Sequence, residues 1–415
     1  MRIIFWHGYL LSGTGSNVYT RAIAGEWSAA GHDVVVLCQE PHPDRIDLGD
    51  VRIVRPWLPA RLLPTFVLDR YEGLEPRLLQ DLSRDELRHY VEANALSVRE
   101  LLPADLVFCN HVLPGGAVGA ASGARFAVKA HGSELEYSLR ESPELQLEAA
   151  EALASASAVF VGSDHIREVL VDVVGHVEGV REVPPGVDVG AFRPWGREEA
   201  LASLLEEAGR DPANPGNHDE RLPDDDSAAR LGAFFAEERP TVVYVGKLLY
   251  NKGVHLLLEA MHGLEARAVV VGFGDYRQRL EELAPPGTLF TGQLQHRHLV
   301  HLLPLCDVAV VPSIFPEAFG MVAAEAAAAG CPPLVARHSG LAEIAEGLEE
   351  AYPPELRTLA AFAPGDSEDL ASKLRDLLAL PAEERERLGA AARRLAEERW
   401  SWANVARQLL QPFVE

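Results

Sequence analysis

Short hydrophobic runs alternate with segments of helical periodicity along the whole chain. The runs lack the polar alternation of half-exposed strands, which is typical of parallel strands covered on both faces. In the first half the predicted strands are Arg2–Trp6, Asp33–Cys38, Val51–Val54, Asp105–Cys109, Phe126–Ala130 and Ala158–Val161. In the second half they are Thr241–Val245, Ala268–Val271, Thr288–Thr291, Val308–Val311 and Pro333–Ala336. This pattern predicts an α/β protein with two doubly wound domains.

The strand pattern pauses after Val183-Pro-Pro-Gly-Val-Asp188, and we place a domain boundary there. The predicted divisions are a Rossmann-like domain over residues 1–188, a second one over 189–395, and a terminal helix over 396–415 that packs back on the first domain. Residues 206–239 are acidic and rich in Pro, Asn and Asp. We interpret this stretch as a mobile surface insertion and Asp224–Asp226 as a solvated loop, not a metal-binding motif.

Composition narrows the class of protein. A chain of 415 residues is too long for one ordinary core, and 47% hydrophobic with 24% charged residues is typical of a soluble globular protein. The net charge of −24 argues against a nucleic-acid partner, because a phosphate backbone requires a basic face. It leaves room for an anionic small ligand, which needs only a local pair of lysines.

The cysteines and the N-terminus indicate in which cellular compartment the protein is expected. The four cysteines lie far apart and are expected to be buried thiols in a reducing environment: Cys38, Cys109, Cys306 and Cys331. The apolar N-terminal run is interrupted by His7 and Gly8, too early for a signal peptide or a membrane span. We therefore expect a cytoplasmic protein without a transmembrane segment. The mixed basic and apolar stretch 61–71 leaves a peripheral membrane contact open.

Candidate ligand-binding residues follow predicted strands, where open parallel sheets bind ligands. Ser12-Gly13-Thr14-Gly15 after the first strand offers backbone N–H groups to a phosphate or sugar. Val18 stands where a dinucleotide fingerprint requires a third glycine, so a dehydrogenase is disfavoured. Farther along, His131 and Gly132 follow a strand, a position where a histidine is as often functional as structural.

A second group of candidates opens the second domain. Lys247 and Lys252, in Gly246-Lys247 and Lys252-Gly253, are suited to neutralise a diphosphate leaving group. Gly272-Phe-Gly274 repeats the turn of a strand followed by glycine. The loosely spaced residues His296, His298 and His301 are interpreted as a polar helix face, and no metal site is predicted.

The most informative segment runs from Pro312 to Gly330. It carries Glu317 and Glu325 in an otherwise apolar stretch, and we predict a buried helix of about three turns between Pro316 and Gly330. Such a helix separates the two carboxylates by roughly 12 Å, which suits the two hydroxyl-bearing ends of a nucleotide-sugar. The pyrophosphate between them would meet the free N–H groups at the helix N-terminus.

These motifs together resemble a family-4 retaining glycosyltransferase of the GT-B fold. The resemblance covers nearly the whole chain except 206–239 and 55–100. The remaining motifs that carry it are Pro185-Gly-Val-Asp188, Phe192-Arg-Pro194, Gly340 with Glu343, and Pro364-Gly-Asp366. The resemblance implies two doubly wound Rossmann-like parallel-sheet domains facing a central cleft, with the acceptor on the N-terminal side and the donor on the C-terminal side.

The resemblance also implies roles for individual residues. Four are expected to be catalytic: His131 beside the transferred sugar, Lys247 and Lys252 at the diphosphate, and Glu317 at the sugar hydroxyls. Lys247 stands where the family usually has arginine, so charge is kept but bidentate geometry is lost. The expected donor-binding residues, with Glu325 at the ribose and Gly15 near the phosphate, are Gly13, Gly15, Gly246, Gly272, Phe319, Gly320, Met321 and Glu325.

The activity implied is metal-independent, retaining transfer of a hexose from a nucleoside-diphosphate sugar to a hydroxyl acceptor. A UDP-sugar is the first expectation for the donor and GDP-mannose the second, with no cofactor beyond this co-substrate. Two alternatives stay open, a sugar-nucleotide epimerase of similar architecture and a non-catalytic nucleotide-sugar-binding protein. The sugar, the acceptor and the oligomeric state are left undetermined.

Overall fold

The computed structural model of the chain describes residues 1–11, 13, 15–69 and 71–414. The chain divides into two compact units, the first formed by residues 1–186 with 402–415 and the second by residues 187–401. Within the described ranges, no helix is both long and apolar enough to span a bilayer.

The first unit is built on a parallel sheet of seven strands in the order β3-β2-β1-β6-β7-β8-β9. The unit's strands are β1 Arg2–Trp6, β2 Asp33–Leu37, β3 Arg52–Val54, β4 Leu62–Thr65, β5 Glu75–Leu78, β6 Leu106–Asn110, β7 Phe126–Lys129, β8 Ala158–Val161 and β9 Val180–Glu182. Its helices are α1 Gly15–Ala29, α2 Arg84–Arg99, α3 Ala117–Ser122, α4 Pro143–Ala154, α5 Asp164–Val174 and, at the chain's end, α15 Trp402–Val414. The direction of strand succession reverses between β1 and β6, so the loops that follow these two strands border a crevice.

The second unit repeats this plan with six parallel strands in the order β12-β11-β10-β13-β14-β15. Its strands are β10 Thr241–Val245, β11 Arg267–Val271, β12 Thr288–Phe290, β13 Val308–Val311, β14 Pro333–Ala336 and β15 Ala361–Phe362. Its helices are α6 Arg197–Ala208, α7 Ser227–Phe235, α8 Val254–Ala260, α9 Arg277–Leu283, α10 His296–Leu302, α11 Met321–Ala328, α12 Ser339–Ala351, α13 Ser367–Ala379 and α14 Ala382–Leu395. Here the order reverses between β10 and β13, which places the loops after these strands at the corresponding crevice.

The α/β prediction is confirmed, and every strand predicted from an apolar run forms with ends within one residue of those expected. Four strands of the described ranges were not predicted. The pair β4 and β5 contains Pro64 and Pro76 and forms its own small parallel sheet. The other two are the polar edge strand β9 and the two-residue β15.

The interpretation of Asp224 as part of a solvated loop is wrong. Its side chain is 3% exposed and accepts hydrogen bonds from Arg277 at 2.7 and 2.8 Å and from Arg230 at 3.0 Å. Burial alone would raise the pKa of Asp224, but the bonds from the two arginines outweigh it and hold the pKa below its ordinary value. The next helix, α7, buries Leu231 and Phe235 in the core of the second unit. This part of the acidic stretch therefore belongs to the folded unit, because two arginines compensate its buried carboxylate.

Candidate active site

In the second unit, the loops after β10 and β13 bring Lys252 and Glu317 together. Lys252 Nζ lies 2.6 Å from Glu317 Oε1, and each side chain is about a quarter exposed (26% and 25%). Glu317 is held through its backbone, because its N–H donates to Ser339 Oγ at 2.9 Å and its carbonyl accepts from the N–H of Gly340 at 2.9 Å. The ion pair is thus fixed on one side and reachable from solvent.

Glycine allows the two loops to approach this closely. Gly253 has φ +69°, and a Cβ there would lie 1.8 Å from the carbonyl oxygen of Pro312. Two backbone N–H groups, of Ile314 and Phe315, donate to the carbonyl of Asn251 at 2.9 and 3.0 Å. A side chain at position 253 would push the lysine loop away from the glutamate loop.

The helix predicted from Pro316 to Gly330 is shorter than expected. It begins at Met321 and ends at Ala328, because Gly320 has φ +112° and cannot belong to a right-handed helix. Glu317 therefore lies in the preceding loop, and the predicted axial separation of the two carboxylates does not apply. Phe319 is buried against Trp400, with ring centroids 5.9 Å apart, so at position 319 only the backbone remains for a ligand.

Glu325 lies inside α11 and is 7% exposed. Its Oε1 is 3.1 Å from Nε2 of His296, whose side chain is 60% exposed. The contact joins two residues that the sequence predicted separately. His298, by contrast, is fully buried beside Asp211, with Nε2 3.1 Å from Oδ2, so the interpretation of the α10 histidines as one polar face is wrong. Among the described residues no group of three or more potential ligands is arranged to hold a metal ion.

The remaining predicted residues of this unit surround the end of β10. Gly272 has φ +142°, and a Cβ there would lie 1.8 Å from the carbonyl oxygen of Gly246. Lys247 is exposed, and its carbonyl accepts a hydrogen bond from the Tyr244 hydroxyl at 2.8 Å. Burial, and then the nearby charge of Glu317, raises the pKa of Tyr244 well above its ordinary value, so this hydroxyl stays a donor.

In the first unit, His131 belongs to a buried hydrogen-bond network centred on Asn110, the last residue of β6. His131 Nε2 lies 2.9 Å from Asn110 Oδ1 and must donate to it. The Asn110 amide donates to His7 Nδ1 at 3.0 Å and to Thr20 Oγ1 at 2.6 Å. His7 Nδ1 is then an acceptor, so His7 Nε2 carries the proton and donates to Asn17 Oδ1 at 2.8 Å. Each ring is fixed in one tautomer.

Burial keeps both rings of this network neutral. It lowers the pKa of His7 to about 3 and that of His131 well below its ordinary value, and the neighbouring His111 lowers both further. Glu134 is fully buried, and burial alone would raise its pKa. Interaction with His111 and hydrogen bonds from His111 and the His131 N–H outweigh this and lower the pKa. The cluster therefore holds the neutral imidazoles of His7 and His131 near an ionised carboxylate.

Other residues of the N-terminal motifs take different positions. Lys129 is 2% exposed and donates to the Val183 carbonyl at 2.6 Å, and burial lowers its pKa to about 7. Gly13 and Gly15 are exposed, and Gly15 opens α1, whereas Ser12 and Thr14 of the predicted glycine turn lie outside the described residues.

Sequence reasoning missed His7, Asn110, His111 and Glu134 as members of the cluster. Three of these residues follow or end the two strands at which the sheet order reverses. Their place in the topology was the available signal, and it becomes visible only when the order of the strands in the sheet is known.

Comparison with known proteins matches both halves of the chain. Residues 14–186 match the family described as Glycosyl transferase 4-like domain, and residues 229–395 match Glycosyl transferases group 1. A sulfoquinovosyl transferase of Arabidopsis thaliana is 38% identical over 167 residues, which cover 40% of this chain and 31% of the relative. A glycogen synthase of Mycobacterium tuberculosis is 34% identical over 196 residues, 43% of this chain and 45% of the relative. The matched segments thus span less than half the length of these relatives.

A solved structure resembles the chain along its length. The Anabaena protein HepE, crystallised with UDP and glucose, superposes with a TM-score of 0.65 over 98% of both chains at 17% identity. At this identity the likeness shows the fold alone.

Proposed function

The chain belongs to the GT-B glycosyltransferases of the family-4 type, and we propose that it is a retaining hexosyltransferase. It transfers a hexose from a nucleoside-diphosphate sugar to a hydroxyl acceptor. The observation that carries the proposal is the Lys252–Glu317 pair in front of α11, where a lysine, a carboxylate and a helix N-terminus meet. A cation and free helix N–H groups bind a diphosphate, and a carboxylate accepts hydrogen bonds from sugar hydroxyls.

In the proposed mechanism, the bond between the anomeric carbon and the diphosphate oxygen breaks first, and the sugar develops oxocarbenium character. Negative charge grows on the leaving diphosphate, where Lys247, Lys252 and the start of α11 stabilise it. Each such interaction is worth about 3–4 kcal/mol in the transition state. The acceptor hydroxyl attacks from the same face, and the departing phosphate oxygen takes its proton. Anomeric configuration is thereby retained, and the lysines supply the positive charge without a metal ion.

The other residues hold the donor and the sugar in this proposal. Glu325, presented by α11 beside His296, binds the ribose hydroxyls, while Glu317 and the backbone at Phe319, Gly320 and Met321 hold the sugar and the phosphates. Gly246 and Gly272 let the backbone at the carboxyl ends of β10 and β11 pack closely together, and the donor binds beside this turn. Gly13, Gly15 and His131 act from the first unit, with His131 beside the transferred sugar.

We rank a UDP-sugar first among donors and GDP-mannose second. This order follows from the resemblance to the family. The buried, unpaired thiols of all four cysteines support a reducing compartment, and we propose the cytoplasm.

A thermal-shift panel with UDP, GDP, ADP and TDP in the presence of a chelator tests donor binding. A ligand at 100 times its dissociation constant stabilises the folded protein by about 2.7 kcal/mol, a clear shift in melting temperature. NMR of the product formed from the matching nucleotide-sugar and a panel of hydroxyl acceptors then reports the anomeric configuration. Conversion of the donor without any acceptor would identify an epimerase instead, and inversion would exclude the mechanism above.

A further inference from the structure

His111 is held in an unfavourable backbone conformation directly after β6. Its φ of 67° and ψ of 139° belong to a region that residues with a side chain rarely adopt. The N–H of His111 donates to the Lys129 carbonyl at 2.8 Å, and its carbonyl accepts from the N–H of Gly116 at 3.2 Å. Strained residues of this kind persist where the surrounding structure imposes them, and they cluster at functional sites.

Glu134 determines which nitrogen of His111 carries the proton. Its carboxylate accepts hydrogen bonds from the backbone N–H of His131 at 2.9 Å and of Val112 at 3.3 Å. It also lies 3.2 Å from His111 Nδ1. A carboxylate only accepts, so Nδ1 donates, and in the tautomer that this hydrogen bond selects Nε2 carries a bare lone pair.

This lone pair has no partner in the part of the chain that the structure describes. His111 is 2% exposed, and Nε2 is buried without a hydrogen bond. The rings packed against the His111 ring come from Phe66, Tyr9, His131 and His7, with centroid separations of 4.8, 5.4, 4.8 and 6.2 Å. Tyr9 donates its hydroxyl to the Pro64 carbonyl, and His131 donates its Nε2 hydrogen to Asn110. A buried acceptor left unpaired among described neighbours calls for a donor from outside.

We propose that His111 Nε2 accepts a hydrogen bond from a hydroxyl group of a bound sugar, and that Glu134 is the positioning residue that keeps Nε2 unprotonated. The inference rests on the proposed function and adds a sugar contact to it. A hydroxyl fits because it brings a donor without charge, whereas a phosphate or carboxylate would face the lone pair with further acceptors. The acceptor and the transferred sugar both offer such hydroxyls, and the kinetic test separates them.

The test uses His111→Phe, Glu134→Gln and the double variant. His111→Phe keeps an aromatic ring among Phe66, Tyr9 and His131 but removes the lone pair. Glu134→Gln presents an amide N–H to His111 Nδ1, which moves the ring proton to Nε2 and converts the acceptor into a donor. Each single variant should lower kcat/KM by roughly 10- to 100-fold, and the double variant should be no worse than His111→Phe, because both changes abolish the same hydrogen bond.

The kinetic parameters identify the sugar. A higher KM for the acceptor, with unchanged hydrolysis of the donor, assigns the hydroxyl to the acceptor. Loss of both transfer and hydrolysis assigns it to the transferred sugar. Wild-type kinetics in all three variants overturn the inference.

Nucleoside-diphosphate affinity is the control for folding, and these variants should retain it. The melting temperature should fall somewhat in His111→Phe, because the buried carboxylate of Glu134 loses one hydrogen-bond partner. If His111→Phe does not fold, His111→Gly replaces it, since glycine adopts positive φ without strain and also lacks the lone pair. A wild-type protein that binds nucleotide-sugars but transfers nothing would overturn the proposed function instead. In that case ¹⁵N NMR of histidine-labelled protein decides the inference: a shift of the His111 Nε2 resonance on adding the nucleotide-sugar or a hydroxyl acceptor supports it, and an unchanged resonance overturns it.

Discussion

The carboxyl ends of the two sheets carry different kinds of residues. In the second unit, Lys252 and Glu317 are charged, paired and about a quarter exposed. In the first unit, His7 and Asn110 are buried, neutral and linked by a hydrogen bond that fixes the tautomer of His7. A charged pair near solvent is suited to a ligand that brings its own charge, whereas a buried neutral network is suited to orienting groups that stay in place. The two units thus share a plan of strands but differ in how they can act.

The sharpest test of the charged region is Lys252→Ala. Removing the ammonium from the leaving diphosphate should reduce kcat by roughly two to three orders of magnitude, measured as product formed at saturating donor. Lys373→Ala, a lysine of α13, is the matched control and should turn over normally. Near-normal turnover of Lys252→Ala would show that this lysine takes no part in the reaction. The charged region of the second unit would then have no demonstrated catalytic role.

The sharpest test of the neutral region is a stability measurement. Asn110→Ala removes the amide that bonds His7, Thr20 and His131, and it leaves buried groups unpaired. We expect a loss of about 2–4 kcal/mol in the free energy of unfolding, measured by urea denaturation. Ser97→Ala, which removes one partly buried bond from a helix, should cost less than about 1 kcal/mol. Equal losses in the two variants would show that the network contributes no more than an ordinary hydrogen bond.

Glu325→Gln tests binding in the charged region apart from chemistry. Replacing the carboxylate by an amide should weaken nucleoside-diphosphate binding by roughly tenfold, because charged hydrogen bonds to the ribose are lost. Isothermal titration measures the change, with Glu259→Gln on the exposed face of α8 as control. An unchanged affinity would exclude Glu325 from the ribose site.

The pH dependence of the free energy of unfolding also distinguishes the neutral region from the charged one, although the expected effect is smaller. The pKa values of His7 and His131 are lowered in the folded protein, so unfolding takes up protons and stability falls as pH drops below about 6.5. Between pH 7 and 6 the two rings together should cost about 1.4 kcal/mol of unfolding free energy. His131→Gln should lose about half of this dependence in urea titrations at both pH values. A pH dependence identical to the wild type would show that His131 is not held neutral.

The sequence predicted the strands because each is a continuous apolar run, and that pattern depends little on context. It singled out Lys252 because charge beside glycine after a strand is visible locally, and Glu317 and Glu325 because two carboxylates stand out in an apolar stretch. It failed where a single backbone angle decided the outcome, as at Gly320, which delays the start of α11. It failed again at Asp224, because neither arginine partner stands out in the sequence. Arg277 lies 53 residues away, and Arg230 follows an acidic stretch that looks solvent-exposed. His7 and His111 were missed because their significance comes from strand order, which no local pattern reveals.

Helix α15 makes the first unit depend on residues that follow the whole second unit in the sequence. Trp27 of α1 donates its indole N–H to the Ala406 carbonyl at 2.9 Å, across 379 residues of sequence. Gly186, where the first unit is interrupted, approaches Trp402 so closely that a Cβ would lie 2.4 Å from its ring. During synthesis, then, the ribosome completes the entire second unit before the piece that covers α1 emerges. The first unit is begun before the second but completed after it, and a nascent chain or a fragment ending at residue 186 lacks the carbonyl to which Trp27 donates.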